Sequence, residues 1–128
     1  MAWYIDTSAF LKLLVAEDES LVLRAWLAEH EPVWSSHLLR TEALRAASRL
    51  DVDHEAVETA LDTVSLILPG STTFSTAGRL APQGLRSLDA LHLATAMELG
   101  SDLEGVLTYD LRMSNGAKEM AITVVAPS

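Results

Sequence analysis

The chain has 128 residues, close to the commonest size of one domain, so we expect a single domain spanning residues 1–128. Hydrophobic residues make up 49 % of it, which is enough for a core, and the absence of cysteine excludes disulfides and thiolate metal sites. The formal net charge of -9 excludes a surface that is basic throughout, so a phosphate-bearing ligand would need local basic groups or acids that carry metal, unless the partner itself is basic.

The sequence predicts neither export nor membrane insertion. No basic segment precedes the first apolar run, and Asp6 comes too early in the chain for a signal peptide. No apolar stretch reaches the ~18 residues that a membrane-spanning helix needs. We therefore expect a cytoplasmic protein with no membrane partner.

Short apolar runs alternate with helical patterns along the chain. In chain order, the predicted elements are a strand at 3–5, helices at about 8–16 and 20–30, a strand at 33–34, helices at about 37–50 and 54–64, a strand at 66–68, helices at about 75–81 and 87–100, and strands at 106–109 and 122–125. The side chains expected to cap these helices are Ser20, Ser35 or Ser36, Asp53 and Ser87. The alternation predicts a three-layer α/β/α sandwich around a central, mainly parallel sheet of four or five short strands.

Four carboxylates fall near the same edge of this predicted sheet. Asp6 directly follows the first strand, and Asp110 directly follows the fourth. Glu42 lies in the second turn of the helix after the second strand, and Asp89 lies in the first turn of the last long helix. Because ligands bind beyond the carboxyl ends of parallel strands, we expect the four side chains to meet in one pocket.

Carboxylates packed together repel one another, and a divalent cation among them removes this conflict. Oxygen ligands without a histidine–cysteine set favour Mg²⁺ or Mn²⁺ over Zn²⁺. Taken singly, each acid also has an ordinary structural interpretation. Asp6 and Asp89 could cap or stabilise helix N-termini. Glu42 could pair with Arg45, and Asp110 could begin a turn.

The four acids lie in four successive motifs. These are Tyr4-Ile5-Asp6-Thr7-Ser8-Ala9, Arg40-Thr41-Glu42, Leu85-Arg86-Ser87-Leu88-Asp89-Ala90-Leu91-His92-Leu93-Ala94 and Leu107-Thr108-Tyr109-Asp110-Leu111-Arg112. In this order they resemble the motifs of PIN-domain ribonucleases, and most closely those of VapC toxins from bacterial toxin–antitoxin pairs. The resemblance covers essentially the whole chain, and its most specific part is the segment at 85–94.

The resemblance implies a Mg²⁺-dependent endoribonuclease that is usually a homodimer and is silenced by a cognate antitoxin. It assigns catalysis and metal binding to an acidic quartet, namely Asp6, Glu42, Asp89 and Asp110. It assigns Thr7, Ser8 and Thr108 to neighbouring hydroxyl positions that orient water or ligands outside the metal's direct coordination. The segment at 113–116 departs from the family pattern, so the sequence leaves open whether a helix follows Asp110.

The predicted chemistry is hydrolysis of RNA by metal-activated water, which leaves a 3′-hydroxyl and a 5′-phosphate. Among the basic residues near the quartet, Arg86 and Arg112 are the favoured phosphate contacts. The other basic residues in these windows are Lys12, Arg40 and Arg45. His92 lies three residues after Asp89 on the same helical face, and it is either a structural histidine or a ligand or proton shuttle.

Other enzyme classes with a similar layout fit the sequence less well. A phosphatase of the haloacid-dehalogenase type needs a second Asp two residues after the first, where this chain has Ser8. A receiver domain needs a Lys after a late strand, where this chain has Asp110. A catalytically silent PIN-like binding or dimerisation module stays open as the alternative function, although an intact quartet argues against it.

Overall fold

A sheet of five parallel strands forms the centre of the structure, a computed structural model that describes residues 1–128. The strands are β1 (Ala2–Ile5), β2 (Val33–Ser36), β3 (Ser65–Ile67), β4 (Leu103–Leu107) and β5 (Val124–Val125). Their spatial order is β3-β2-β1-β4-β5, and every neighbouring pair is parallel.

Seven helices cover the two faces of the sheet. They are α1 (Thr7–Leu11), α2 (Ser20–Glu29), α3 (Leu38–Leu50), α4 (His54–Leu61), α5 (Ser71–Gly78), α6 (Ser87–Met97) and α7 (Leu111–Glu119). Because successive strand residues face opposite sides, Ile5 and Leu107 pack with α1 to α4, whereas Tyr4 and Val106 pack with α6 and α7. This confirms the predicted three-layer α/β/α sandwich. None of the helices combines the length and apolarity required to cross a membrane.

The direction in which the sheet grows changes between β1 and β4. From β1 the chain adds β2 and β3 on one side, and then β4 and β5 on the other. The carboxyl ends of β1 and β4 therefore lie side by side, with Ile5 opposite Leu107 and the Asp6 amide donating to the Leu107 carbonyl at 3.1 Å. Ligand crevices of open α/β sheets form at such switch points. The residues that follow these two strands are therefore placed to form a site.

The first helix is shorter than predicted. It ends at Leu11 rather than near residue 16. After Leu11 the backbone amides of residues 12–14 donate to the carbonyl three residues earlier, as in a 3₁₀-helix, rather than four residues earlier. For example, the Lys12 amide donates to the Ala9 carbonyl at 3.1 Å. The chain therefore leaves the helix through a tight turn before α2.

Two of the predicted helix caps are confirmed and two are wrong. Asp53 caps α4, and the Ser36 hydroxyl accepts from the first amide of α3 at 3.1 Å. Ser20 is instead the first residue of α2, and its hydroxyl accepts from the Glu17 amide before the helix at 2.9 Å. Ser87 is the first residue of α6 and makes no capping bond. The Asp89 carboxylate accepts from the Arg86 amide and closes that turn instead. Three elements are also shorter than predicted. Helices α4 and α6 each end three residues early, and β5 starts two residues late.

Elements in the second half of the chain are shifted for similar reasons. The helix predicted at 75–81 begins at Ser71, because the Thr73 hydroxyl accepts from the Gly70 amide at 3.1 Å and closes its first turn. The strand predicted at 106–109 instead spans Leu103–Leu107, and after it the Ser8 and Thr108 hydroxyls accept from the Tyr109 and Asp110 amides. In both cases a polar side chain, which a hydrophobic pattern does not reveal, bonds to the backbone at the observed end of the element.

A helix does follow Asp110, which answers the question that the sequence left open. The Asp110 carboxylate accepts from the Met113 amide at 3.1 Å and caps α7. Gly116 lets α7 pack closely against Leu85 in the loop before α6, since a Cβ at position 116 would lie 2.5 Å from a methyl carbon of Leu85. The segment at 113–116 is therefore helical despite its departure from the family pattern.

Candidate active site

Asp6 lies at the switch point, directly after β1, and is 4 % exposed. Its carboxylate accepts hydrogen bonds from the Ser8 hydroxyl at 2.7 Å, from the Ala9 amide at 3.0 Å and from the Thr108 hydroxyl. Burial raises the pKa of Asp6, and these hydrogen bonds offset only part of that effect. The ionised carboxylate is therefore short of positive charge in its surroundings.

Thr108 joins Asp6 to Asp110. Its hydroxyl donates to the Asp6 carboxylate and accepts from the Asp110 amide at 3.1 Å. The Ser8 hydroxyl makes a second link, because it donates to Asp6 and accepts from the Tyr109 amide at 2.9 Å. Asp110 thus lies three residues beyond the last residue of β4, not directly after the strand as predicted, yet the Thr108 hydroxyl still connects its backbone amide to the Asp6 carboxylate.

Glu42 is held by two side chains from other elements. Its Oε1 atom accepts from the Thr7 hydroxyl at 2.8 Å, and it lies 2.6 Å from Nε2 of His92. Burial raises the pKa of Glu42, but the hydrogen bond and charge of His92 and the Thr7 hydroxyl outweigh it, so that the pKa is lowered. Glu42 is therefore ionised at neutral pH. It does not pair with Arg45, the structural alternative suggested by the sequence.

Asp89 lies in the first turn of α6. Its carboxylate accepts from the Arg86 amide at 3.2 Å, which closes the start of the helix. Burial raises the pKa of Asp89, the Arg86 amide opposes this, and the negative charge of Asp110 raises it further. The positive charges of His92 and Arg112 lower the pKa of Asp89. Asp89 is therefore close enough to interact electrostatically with both Asp110 and His92.

The structure brings the four acids to one edge of the sheet but not into one cavity. No three histidine or acidic side chains lie close enough together to hold a metal ion, and no cavity is lined by more than one member of the quartet. Asp6 and Asp110 form one linked pair through Thr108, and Glu42 forms a second group with His92. Three of the acids also close helix starts, so their ordinary structural roles coexist with a place in the site.

Comparison with known proteins identifies the family. The PIN domain model matches residues 3–119. The chain belongs to the PIN-domain family. It is 43 % identical over 128 residues to ribonuclease VapC46 of Mycobacterium tuberculosis, an alignment that covers 99 % of this chain and 98 % of that protein. The resemblance to VapC-type PIN-domain proteins is therefore confirmed.

Two solved structures have the same fold as this chain. VapC20 of Mycobacterium tuberculosis, described as a sarcin-ricin loop cleaving toxin, aligns with a TM-score of 0.77 at 18 % identity and covers 98 % of this chain and 99 % of its own. A toxin–antitoxin complex from Klebsiella pneumoniae aligns with a TM-score of 0.70 at 21 % identity and covers 98 % of this chain and 97 % of its own. At these identities the likeness establishes the fold.

A divalent cation fits the chemistry of this PIN-domain site. PIN-domain ribonucleases are generally metal-dependent. The donors at the sheet edge are carboxylates and hydroxyls, which suit hard cations. Burial raises the pKa of Asp6 and of Asp89, and a bound cation would favour the ionised form of both carboxylates.

Two of the basic residues near the quartet are committed to other partners. Lys12 pairs with Glu17 at 2.6 Å and with Glu19 at 3.0 Å, and Arg40 pairs with Glu58. The remaining three arginines, which make no ion pair with an acidic side chain, are Arg45, Arg86 and Arg112. Of the five basic residues that the sequence placed near the quartet, these three are therefore free to meet a phosphate.

A groove of about 270 Å³ runs from the Glu42 end of the site along α3. Thr7 and Glu42 line one part of it, and Arg45 and Arg49 line another. Sequence reasoning missed Arg49, although its spacing from Glu42 and Arg45 places all three on one face of a helix. Arg112 lines a separate groove of about 220 Å³. Basic groups therefore line two separate grooves.

Proposed function

We propose that this chain is a Mg²⁺-dependent endoribonuclease and the toxin of a type II toxin–antitoxin pair. The observation that carries the proposal is the buried Asp6 carboxylate, which is linked through Thr108 to Asp110 at the crevice between β1 and β4. The 43 % identical relative that is named a ribonuclease supports RNA as the substrate. Both arguments point to phosphodiester hydrolysis.

The acids would hold Mg²⁺, with Mn²⁺ as a substitute; they are Asp6, Glu42, Asp89 and Asp110. When bound, such an ion lowers the pKa of water and balances charge on phosphate oxygens. The chain's own contribution is to orient the carboxylate oxygens in advance. Ser8 and Thr108 hold Asp6, and Thr7 holds Glu42. Pre-oriented donors and acceptors do not have to reorganise during the reaction, which lowers its barrier.

The RNA backbone would pass over the acids between the free arginines. Arg86 and Arg112 are exposed, and Arg45 and Arg49 line the groove that contains Glu42. Phosphates on either side of the cleaved bond would bind to these guanidinium groups. This local arrangement reconciles a net charge of -9 with an RNA substrate.

The expected partner is a cognate antitoxin. A toxin–antitoxin complex has the same fold, and an acidic crevice suits a basic side chain supplied by the antitoxin. We further propose that the toxin is a homodimer and that it acts in the cytoplasm, where its RNA substrates are.

The test of this function compares two Asp→Asn variants. Purified antitoxin-free protein is incubated with structured RNA and Mg²⁺, and the RNA ends are mapped. Asp110→Asn is expected to reduce the cleavage rate by about 100-fold or more, because it removes a charge of the proposed cation site. Asp102→Asn is the matched control, since Asp102 is exposed in the turn before β4, at the opposite edge of the sheet.

Cleavage by the wild type and the control that stops with EDTA and leaves 5′-phosphate ends supports the proposal. Equal cleavage by Asp110→Asn points to a contaminating nuclease and contradicts it. Ends that carry a 2′,3′-cyclic phosphate contradict the hydrolytic chemistry. No cleavage by any of the proteins favours the catalytically silent module.

A further inference from the structure

The side chain of His92 connects three elements of the fold inside the site. It lies on α6 and is 3 % exposed. Its Nδ1 atom lies 2.6 Å from the hydroxyl of Tyr4 on β1, and its Nε2 atom lies 2.6 Å from Oε1 of Glu42 on α3. The sequence left the role of His92 open and did not single out Tyr4. Both residues belong to one hydrogen-bonded chain that ends at a member of the quartet.

Glu42 differs from the other acids in how its carboxylate is held. The carboxylates of Asp6, Asp89 and Asp110 each accept from a backbone amide at a helix start. Glu42 lies in the second turn of α3, where backbone amides bond to carbonyls within the helix. Its carboxylate is therefore held by side chains alone, those of Thr7 and His92. Because Glu has one more rotatable bond than Asp, its orientation depends more strongly on these contacts.

The hydrogen bond from His92 to Glu42 has the same direction whether the ring is neutral or charged. Ionised Glu42 can only accept, so the proton lies on Nε2. Nδ1 accepts from the Tyr4 hydroxyl when the ring is neutral and donates to it when the ring is protonated. Burial raises the pKa of Tyr4, so that its hydroxyl keeps its proton and can take either part. The Tyr4 contact thus fixes the ring with Nε2–H directed at Glu42.

Both groups that hold Glu42 bond to the same oxygen. Thr7 and His92 contact Oε1, and no protein group forms a hydrogen bond with Oε2. Oε2 is therefore the atom that is free to meet a bound ion. We propose that His92, fixed by Tyr4, is a positioning residue that directs Oε2 of Glu42 toward the cation site. This inference rests on the proposed function, because it assigns His92 a part in the same site.

Three substitutions separate positioning from simple packing. His92→Leu removes the donor and keeps an apolar side chain, whereas His92→Gln keeps an N–H near the place of Nε2. Tyr4→Phe removes only the hydroxyl. In calorimetric titrations of metal-free protein, His92→Leu is expected to bind Mn²⁺ about 10- to 100-fold more weakly than the wild type. His92→Gln should recover most of the affinity, and Tyr4→Phe should fall between the two.

A second measurement uses the metal-free protein alone. Nitrogen NMR of labelled histidine should show His92 protonated at Nε2 in the wild type, with its ring signals altered in Tyr4→Phe. The control is His54→Gln, since His54 is exposed and its ring bonds only to Ser48. Its Mn²⁺ affinity should equal that of the wild type.

The outcomes distinguish this inference from the proposed function. A wild type that neither binds Mn²⁺ nor cleaves RNA refutes the proposed function, and the inference with it. If the wild type does both and His92→Leu binds Mn²⁺ equally well, only the positioning role is refuted. Equal losses of Mn²⁺ affinity in folded His92→Leu and His92→Gln also refute the positioning role. A His92 ring that carries no proton on Nε2 in the wild type refutes it as well. If His92→Leu does not fold, unchanged Mn²⁺ affinity in Tyr4→Phe overturns the inference.

Discussion

Replacing Asp6 by Asn should abolish RNA cleavage and at the same time stabilise the metal-free protein. Asp6 is 4 % exposed and has no ion-pair partner, so its charge is costly in the absence of a cation. An Asn at this position keeps the bonds that Ser8 and the Ala9 amide donate to Oδ1, and its amide can donate to the Thr108 hydroxyl. The substitution therefore removes the charge, keeps two of the three hydrogen bonds and reverses the third, so that the Thr108 proton turns to the Ser8 hydroxyl 3.3 Å away.

The expected gain follows from the balance at Asp6. Burying an ionised carboxylate costs several kcal/mol, and each hydrogen bond to a charged group contributes about 1.5–3 kcal/mol. Burial outweighs the three bonds, since it raises the pKa of Asp6. We expect a net gain on the order of 1–2 kcal/mol in the free energy of unfolding, which for a chain of this size raises Tm by roughly 4–8 °C.

The pH dependence has a definite sign. The pKa of Asp6 in the folded protein lies above that in the unfolded chain, so proton uptake by Asp6 favours the folded state. The loss in the free energy of unfolding that ionised Asp6 causes is therefore largest at neutral pH. It shrinks as the pH falls through the pKa of Asp6 in the folded protein toward about 3.9, the value in an unfolded chain. The difference in Tm between Asp6→Asn and the wild type should shrink over the same range.

Thermal unfolding in EDTA, followed by circular dichroism at several pH values, measures this difference. Asp102→Asn is the control and should change Tm by less than about 2 °C, because Asp102 is exposed. A lower Tm for Asp6→Asn at neutral pH, or a difference that grows on acidification, would refute the reasoning about the unbalanced charge.

Two further predictions concern the RNA path and the sheet. The double variant Arg45→Gln with Arg49→Gln should raise the KM for RNA by about tenfold or more and change Mn²⁺ affinity by less than about twofold. The control Arg79→Gln should change neither, and an unchanged KM in the double variant would remove the α3 groove from the RNA path. Gly105→Ala should lower the free energy of unfolding by about 2–3 kcal/mol, because its Cβ would lie 2.7 Å from a backbone carbonyl oxygen. Gly78→Ala, which meets no atom within 4 Å, should unfold at nearly the wild-type temperature, and equal behaviour of the two in urea unfolding would contradict this packing argument.

The placement of the acids could be predicted because it depends on local signals. Asp6 follows an apolar strand and begins a helix, and Asp89 lies in a helix start; both features can be recognised in short segments. The fold could be predicted for the same reason, since short apolar strands alternate with helices. The exact ends of elements could not, because polar side chains such as Thr73 decide them.

The contacts that hold the acids could not be predicted from the sequence. His92 is 88 residues from Tyr4 and 50 residues from Glu42 along the chain, so only the tertiary structure shows that they touch. The link from Asp6 to Asp110 likewise depends on Thr108, whose hydroxyl bridges two strand ends that become neighbours only in the folded sheet. Such side-chain networks leave no periodic pattern.

Calorimetric titration of Mg²⁺ or Mn²⁺ into purified, antitoxin-free protein tests most directly whether the acids form a cation site. We expect saturable binding by the wild type and by Asp102→Asn, and a loss of at least about tenfold in affinity for Asp6→Asn and Asp110→Asn. Equal affinities in all four proteins, or no uptake of either ion by the wild type, would contradict the account.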